Sequence, residues 1–255
     1  MVSLTAEELA ELGRFFRAGG IEKIEVFAYV RTPKSFMESN FQEKLKNILS
    51  LQPNQLELNA LYPHYRRRFS QFIEVFGGDS VHFRRFAPER FPKRCVVHDF
   101  CAHWDIPLVE PVKRMNESLS CPAVAALYAF RQFGAPILQG PLASQINGTF
   151  LNFIARLPGP QVRFSPDWVA PVLKAERDDI AWMEAQLGES LVEDFSPTPH
   201  DIQDFAGLLR FDAQVVADLM GLVVEDIAEG LKAQQIRQAA RQVVVPKLPP
   251  VKFYL

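Results

Sequence analysis

Apolar residues recur along this chain with two different periods. Residues 24 to 30, Ile-Glu-Val-Phe-Ala-Tyr-Val, form a mostly apolar run with the length and β-branched content of a buried strand. Val81-His82-Phe83-Arg84 alternates in the manner of a second strand. Elsewhere the period is close to 3.6. Tyr65, Phe69, Phe72 and Phe76 recur every three or four residues while Arg66, Arg67, Gln71 and Glu74 point elsewhere, which predicts a helix over 65–76 stopped by Gly77-Gly78. Val97, Phe100, Cys101 and Trp104 trace one face of a further helix.

Helix-start chemistry marks the other elements. Thr5-Ala6-Glu7-Glu8 is a capping box, in which hydroxyl and carboxylate satisfy each other's free amides, and the helix it opens runs to about Arg17 before Gly19-Gly20. Ser35 with Glu38 makes a second box, for a helix through about Leu49. Ser120-Cys121-Pro122 opens a helix ending near Gly134, and Ser165-Pro166 and Thr198-Pro199 both read as helix starts with proline in the first turn. A long amphipathic segment from Asp212 to about Val244 carries Val216, Leu219, Val223, Ile227 and Leu231, and Pro246, Pro249 and Pro250 then enforce an extended tail. The stretches at 51–54 and 134–148 read as loops. The pattern predicts an α/β chain whose C-terminal half is mainly helical, with residues 1–195 as the principal domain and 196–255 as a helical extension and proline-containing tail.

Charge narrows the partners. With 28 Lys+Arg against 30 Asp+Glu, the chain carries no overall footprint for nucleic acid or an anionic membrane, so local clusters must carry any anion binding. Arg66, Arg67, Arg68, Arg84 and Arg85 stand beside phenylalanines as an RNA surface would, but those aromatics fall on core-facing positions, which leaves the arginines as a solvated face or the rim of a nucleotide pocket. Cys95, Cys101 and Cys121 are an odd set suited to a reducing compartment, and neither a leader nor an apolar run of about 18 residues is present, so a cytoplasmic location without a membrane span is expected. The sequons at Asn116 and Asn147 then read as chance matches. Cys95, His98, Cys101 and His103 crowd together, yet at 100° per residue they cannot converge on one ion, so no metal site is expected.

One constellation carries chemistry: strand, Arg31, turn, helix, with Ser39 eight residues beyond the arginine. In open parallel sheets the ligand crevice lies outside the carboxyl ends of the strands, where Arg31 would sit. The amides of a helix starting at Ser35 and the positive end of its dipole favour a phosphate, and Ser39, one turn in, could donate to the same anion. A guanidinium offers phosphate a planar fork that lysine lacks. The same spacing also fits an Arg31 paired with a carboxylate and Ser39 as an ordinary helix residue.

The segment from Tyr29 to Ser39, Tyr-Val-Arg-Thr-Pro-Lys-Ser-Phe-Met-Glu-Ser, resembles the arginine and serine segment with which sulfotransferases dependent on 3′-phosphoadenosine 5′-phosphosulfate (PAPS) hold the donor's 3′-phosphate. Further segments resemble the bacterial, carbohydrate-directed branch in the same order: Tyr65 through Phe76-Gly77, then Val81 through Phe86, then His98-Asp99-Phe100, then Met115 through Ser120. The resemblance spans roughly residues 21 to 190. It implies a P-loop NTPase-like parallel sheet flanked by helices, a PAPS or 3′,5′-adenosine bisphosphate ligand held by Arg31 and Ser39, and transfer of a sulfuryl group to a hydroxyl, as on a saccharide. Tyr65 would pack or hydrogen-bond near the nucleotide, while Asn116 and Ser118 would cap the following helix. The family's N-terminal phosphosulfate loop has no counterpart in the 23 residues before Ile24. An incomplete chain, complementation by another chain and lost catalysis all fit that departure, and a chain with only the 3′-phosphate half could bind nucleotide and transfer nothing. No motif licenses a general base among His64, His82, His98, His103 and His200. The alternative is a non-catalytic nucleotide- or partner-binding protein, with the C-terminal helix docking a partner or a second copy.

Overall fold

Strand β1 (Val26–Val30) and strand β2 (Val81–Arg85) pair in parallel, with Val26 opposite Val81 and Val30 opposite Arg85. The computed structural model describes residues 4–51, 56–108, 112, 118–133, 140, 142–210 and 213–242. Among them the sheet has these two strands, and the remaining regular structure is helical. A parallel pair needs a long crossover between its strands, and here α2 (Pro33–Asn47) and α3 (Tyr65–Phe76) lie in that connection.

Alternation along the strands sends side chains to two covered faces. On one, Phe83 meets Phe69 of α3 with ring centroids 5.2 Å apart. On the other, α4 (Val96–His103) brings Phe100 to within 5.7 Å of Phe27, and its buried Asp99 accepts hydrogen bonds from the Tyr29 hydroxyl at 2.6 Å and from Arg84 at 2.7 Å. Helices over both faces suit a parallel pair, whose strand residues here are mostly half-buried.

The core lies against α2, where Met37, Phe41 and Leu45 recur every four residues and are fully buried. They pack with Val124 and Leu127 of α5 (Cys121–Phe133), Val169 of α7 (Pro166–Ala175) and Met183 of α8 (Arg177–Leu187). Each such aliphatic or aromatic side chain contributes about 1.5–3 kcal/mol relative to exposure. Ile202 and Leu208 belong to the same cluster, so the core runs continuously across residue 195. The chain is therefore α/β with a helical majority.

Several boundaries differ from those expected. The first strand begins at Val26, two residues late. Helix α2 begins at Pro33 with Thr32 at its N-cap, so Ser35 and Glu38 lie inside it and form no capping box. Their intended partners are taken: the Ser35 amide donates to Glu193, and the Glu38 carboxylate accepts from Lys34 and from the Phe164 amide. Thr198-Pro199 opens a turn and not a helix, because Asp201 folds back to accept from the Thr198 amide at 2.8 Å and hydroxyl at 2.7 Å. The expected loop at 134–148 contains the start of α6 (Ala143–Ile154), whose turn-forming Asn147 is held inside the helix by a side-chain bond to the Lys46 carbonyl at 3.2 Å. Thr5 and Glu8 do form the predicted box at the start of α1 (Ala6–Ala18).

The C-terminal helix α9 (Ala213–Gln242) is present as expected, but its apolar residues are divided. Leu219 and Leu222 pack on the core while Val216, Met220 and Val224 stay half exposed or more. The side chains of Ile227 and Leu231, the Asn116 position, Gly134 and the prolines at 246, 249 and 250 lie outside the described residues. No helix among the described residues is long and apolar enough to cross a membrane.

Candidate anion-binding site

Arg31 is the first residue past β1, at the carboxyl end of the strand. Pairing continues one step beyond β2, where the Phe86 amide donates to the Val30 carbonyl at 2.8 Å, and this sets the Phe86 ring beneath the Arg31 guanidinium at 4.3 Å. From the opposite side, the buried Tyr65 donates its hydroxyl to the Arg31 carbonyl at 2.6 Å. The backbone at Arg31 is thus held by two elements, and only its side chain remains to be placed.

That side chain lines a cavity of about 310 Å³ together with Tyr29, Phe36, Tyr65, Arg68 and Phe86 among others. Arg68 enters from α3, one turn beyond Tyr65, and lies 4.7 Å above the Phe36 ring. Both guanidiniums are partly desolvated, and burial pulls each below the ordinary arginine value. Neither makes an ion pair or a side-chain hydrogen bond with a described residue; their contacts are the two aromatic faces. Stacking on a ring quadrupole offsets part of the desolvation but supplies no counter-charge.

Helix α3, which carries Tyr65 and Arg68, is fixed by a distant carboxylate. Asp179 of α8 accepts from the Tyr65 amide at 2.7 Å, the Arg66 amide at 2.8 Å and the Tyr62 hydroxyl at 3.0 Å. A carboxylate on the free amides of a helix start is the arrangement the helix dipole favours.

The amino end of α2 is satisfied in the same way. Glu193 accepts from the Lys34 amide at 2.9 Å, the Ser35 amide at 2.8 Å and the Thr32 hydroxyl. It reaches that position on an irregular strap after α8, tied down where Arg85 donates to the carbonyls of Ser190 at 3.0 Å and Val192 at 2.8 Å. A neighbouring cleft of about 390 Å³ is lined by Lys34, Glu38, Arg85, Arg163, Glu193 and others. Lys34 and Glu38 form a largely buried ion pair at 2.7 Å. Burial pushes the Glu38 carboxyl upward, only partly countered by Lys34.

The two residues singled out by sequence part company here. Arg31 lines the cavity at the sheet edge, and no carboxylate among the described residues pairs with it. Ser39 is half-buried on α2 and lines neither cavity, and the α2 amides expected to cradle a phosphate already hold Glu193. Tyr65 lines the same cavity as Arg31. Ser118 is exposed. Of the arginines weighed as an RNA surface, Arg84 pairs with Asp99, Arg85 holds the strap and Arg66 lies 5.7 Å from the Trp182 ring. Among the described residues no group of three or more His, Cys, Asp or Glu could hold a metal ion.

From the sequence Arg68 reads as one of several rim arginines, although its position three residues after Tyr65 puts it beside the apolar face of α3. Glu193 and Asp179 carried no local signal at all. Comparison with protein families, with curated proteins and with solved structures finds no match to this chain.

Proposed function

We propose that this protein binds an adenosine 3′,5′-bisphosphate type of nucleotide at the carboxyl edge of its sheet, as PAPS-dependent sulfotransferases do. The ancestral chemistry would be the sulfuryl transfer of that family. In it the donor's sulfur-to-oxygen bond breaks, a new one forms to an acceptor hydroxyl, as on a carbohydrate, and the hydroxyl proton leaves to a base. The observation that carries the reading is Arg31, a partly desolvated guanidinium at the end of β1 without a carboxylate partner among the described residues. An arginine paired internally at that position would have removed the reason to seek an anionic ligand.

A second reading, nucleotide binding without transfer, is favoured by Glu193. Its carboxylate occupies the α2 helix-start amides and so leaves fewer free backbone donors at the sheet edge, whereas transfer needs preorganised donors where charge develops. Both readings share the nucleotide and differ in turnover.

Titration calorimetry with adenosine 3′,5′-bisphosphate tests the shared part. Saturable binding by the wild-type protein, weakened roughly 10-fold or more in Arg31→Ala, is expected from the loss of a charge-assisted contact. Equal affinity in the variant, or no saturable binding, contradicts it. Incubation with PAPS and a saccharide acceptor then separates the readings by whether sulfated product forms.

A further inference from the structure

We infer that Arg68 is the second arm of a clamp with Arg31, and that the cavity between them accepts the dianion of a phosphate monoester whose remaining group is apolar or aromatic. The inference deepens the nucleotide reading, which rests on Arg31 alone, by adding a binding residue and a charge requirement.

Among the described residues, partner chemistry separates these two from the other arginines that are withdrawn from solvent or ion-paired, the remaining arginines being exposed. Arg84 pairs with Asp99, Arg90 with Glu189, Arg156 with Glu225 and Asp226, and Arg163 with Asp201. Arg131 is more deeply buried than either, and burial brings it down to about 10. Yet it donates from Nε to the Leu45 carbonyl at 2.9 Å and from Nη2 to Asn147 at 2.5 Å, leaving only Nη1 without a partner. Leu45 lies in the last turn of α2, where helix carbonyls supply negative potential. Arg31 and Arg68 have no such supply.

Each guanidinium lines the cavity partly desolvated and, among the described residues, without a counter-charge, so each carries an uncompensated cost. A structure that fixes them so gains when an anion enters. Each guanidinium presents a planar fork of donors suited to phosphate oxygens, and two forks match two negative charges better than one. The walls specify what the phosphate is attached to. Phe36, Phe69, Phe86, Tyr29 and Tyr65 give the cavity apolar faces that bare phosphate leaves uncovered but a base or other ring would cover. Rigidity comes from the surroundings, since Tyr65 is anchored to the Arg31 carbonyl and Asp179 fixes the start of the helix that carries Arg68.

The test compares wild type, Arg31→Gln, Arg68→Gln and Arg68→Lys for binding of adenosine 3′,5′-bisphosphate, phenyl phosphate and inorganic phosphate. Arg68→Gln is expected to weaken phosphate-ester binding roughly 10-fold or more, and Arg68→Lys to recover part of it, since the charge returns without the fork. Phenyl phosphate should bind more tightly than inorganic phosphate, and its affinity should rise from pH 5.5 to 7.5 as the ester takes its second charge near pH 6. Phenylglyoxal labelling of the wild-type protein, read by peptide mass spectrometry, gives the same answer without a variant: ligand protects Arg31 and Arg68 together.

If adenosine bisphosphate fails to bind while phenyl phosphate binds through both arginines, the clamp stands and the nucleotide reading falls. If adenosine bisphosphate binding depends on Arg31 but changes less than twofold in Arg68→Gln, with Arg68 unprotected, the clamp falls and the nucleotide reading stands. Binding of none of the three ligands overturns both.

Discussion

At the amino end of α2 the amides of Lys34 and Ser35 hold the carboxylate of Glu193, whereas at the carboxyl end of β1, three residues earlier, the Arg31 guanidinium meets an aromatic ring and no carboxylate among the described residues. Both spots attract negative charge, and from the sequence they read as one site. The fold separates them into a spot satisfied from within and one that is not. A helix start is easily served by any carboxylate a distant strap can deliver, so its appeal to phosphate says little about a ligand. A desolvated guanidinium without a counter-ion says more, because its cost persists until something binds.

The largest expected effect comes from the carboxylate that orders the unsatisfied spot. Asp179→Ala removes three hydrogen bonds at the start of α3 and should destabilise the protein by about 3 kcal/mol, with anion affinity falling alongside as Tyr65 and Arg68 lose their fixed position. Denaturant unfolding measures the first and calorimetry the second. A loss below about 1 kcal/mol would mean that α3 does not depend on this cap.

Glu193→Ala should cost less, about 2 kcal/mol, since it strips one cap without disturbing α3. Its sharper use is as a control: the dependence of ligand binding on Arg31 should survive it. A variant in which Arg31 ceases to matter would show that the two spots act as one after all.

Protonation offers a milder probe of the satisfied region. The folded value of Glu38 lies above the ordinary 4.5 of a glutamate, chiefly through burial. The folded protein therefore binds this proton more tightly than the unfolded chain. The contribution of Glu38 to stability is full below pH 4.5 and is lost as pH rises through the raised folded value. Carbon-detected NMR titration of its carboxyl should give a midpoint above 4.5, and a lower midpoint would place the ion pair with Lys34 ahead of burial.

The smallest effect concerns Arg31 without ligand. Arg31→Gln removes an unpaired, partly desolvated charge and keeps much of the side-chain volume, so the melting temperature of the ligand-free protein should not fall. A clear decrease would show that stacking on Phe86 outweighs the desolvation.

How much of this was legible in the sequence follows the range of each interaction. Helix α3 is bounded by Tyr65 and Phe76 as its apolar period and Gly77 announce, and Gly77 indeed adopts φ 86°, a conformation that suits glycine. The box at Thr5 and Glu8 is likewise a contact across three residues. The same motif at Ser35 and Glu38 gave way because longer-range partners displaced it: Glu193 took the amide from 158 residues away, and Lys34 and Phe164 took the carboxylate. Arg31 could be placed from its strand and turn. Arg68 could not, because which of Arg66, Arg67 and Arg68 turns inward depends on how α3 is rotated against the sheet, and Asp179 and the Phe69–Phe83 contact help set that rotation. Ser39 illustrates the opposite case, since its eight-residue spacing puts it on the helix but not at the cavity wall.

The most direct test follows four groups in one NMR titration of the wild-type protein with adenosine 3′,5′-bisphosphate: the Nε–H signals of Arg31 and Arg68 and the backbone amides of Lys34 and Ser35. The two guanidinium signals should shift together with a single dissociation constant while the two amides, held by Glu193, stay nearly still. Shifts confined to Lys34 and Ser35, with the guanidiniums unmoved, would contradict the assignment of the anion to the arginine-lined cavity.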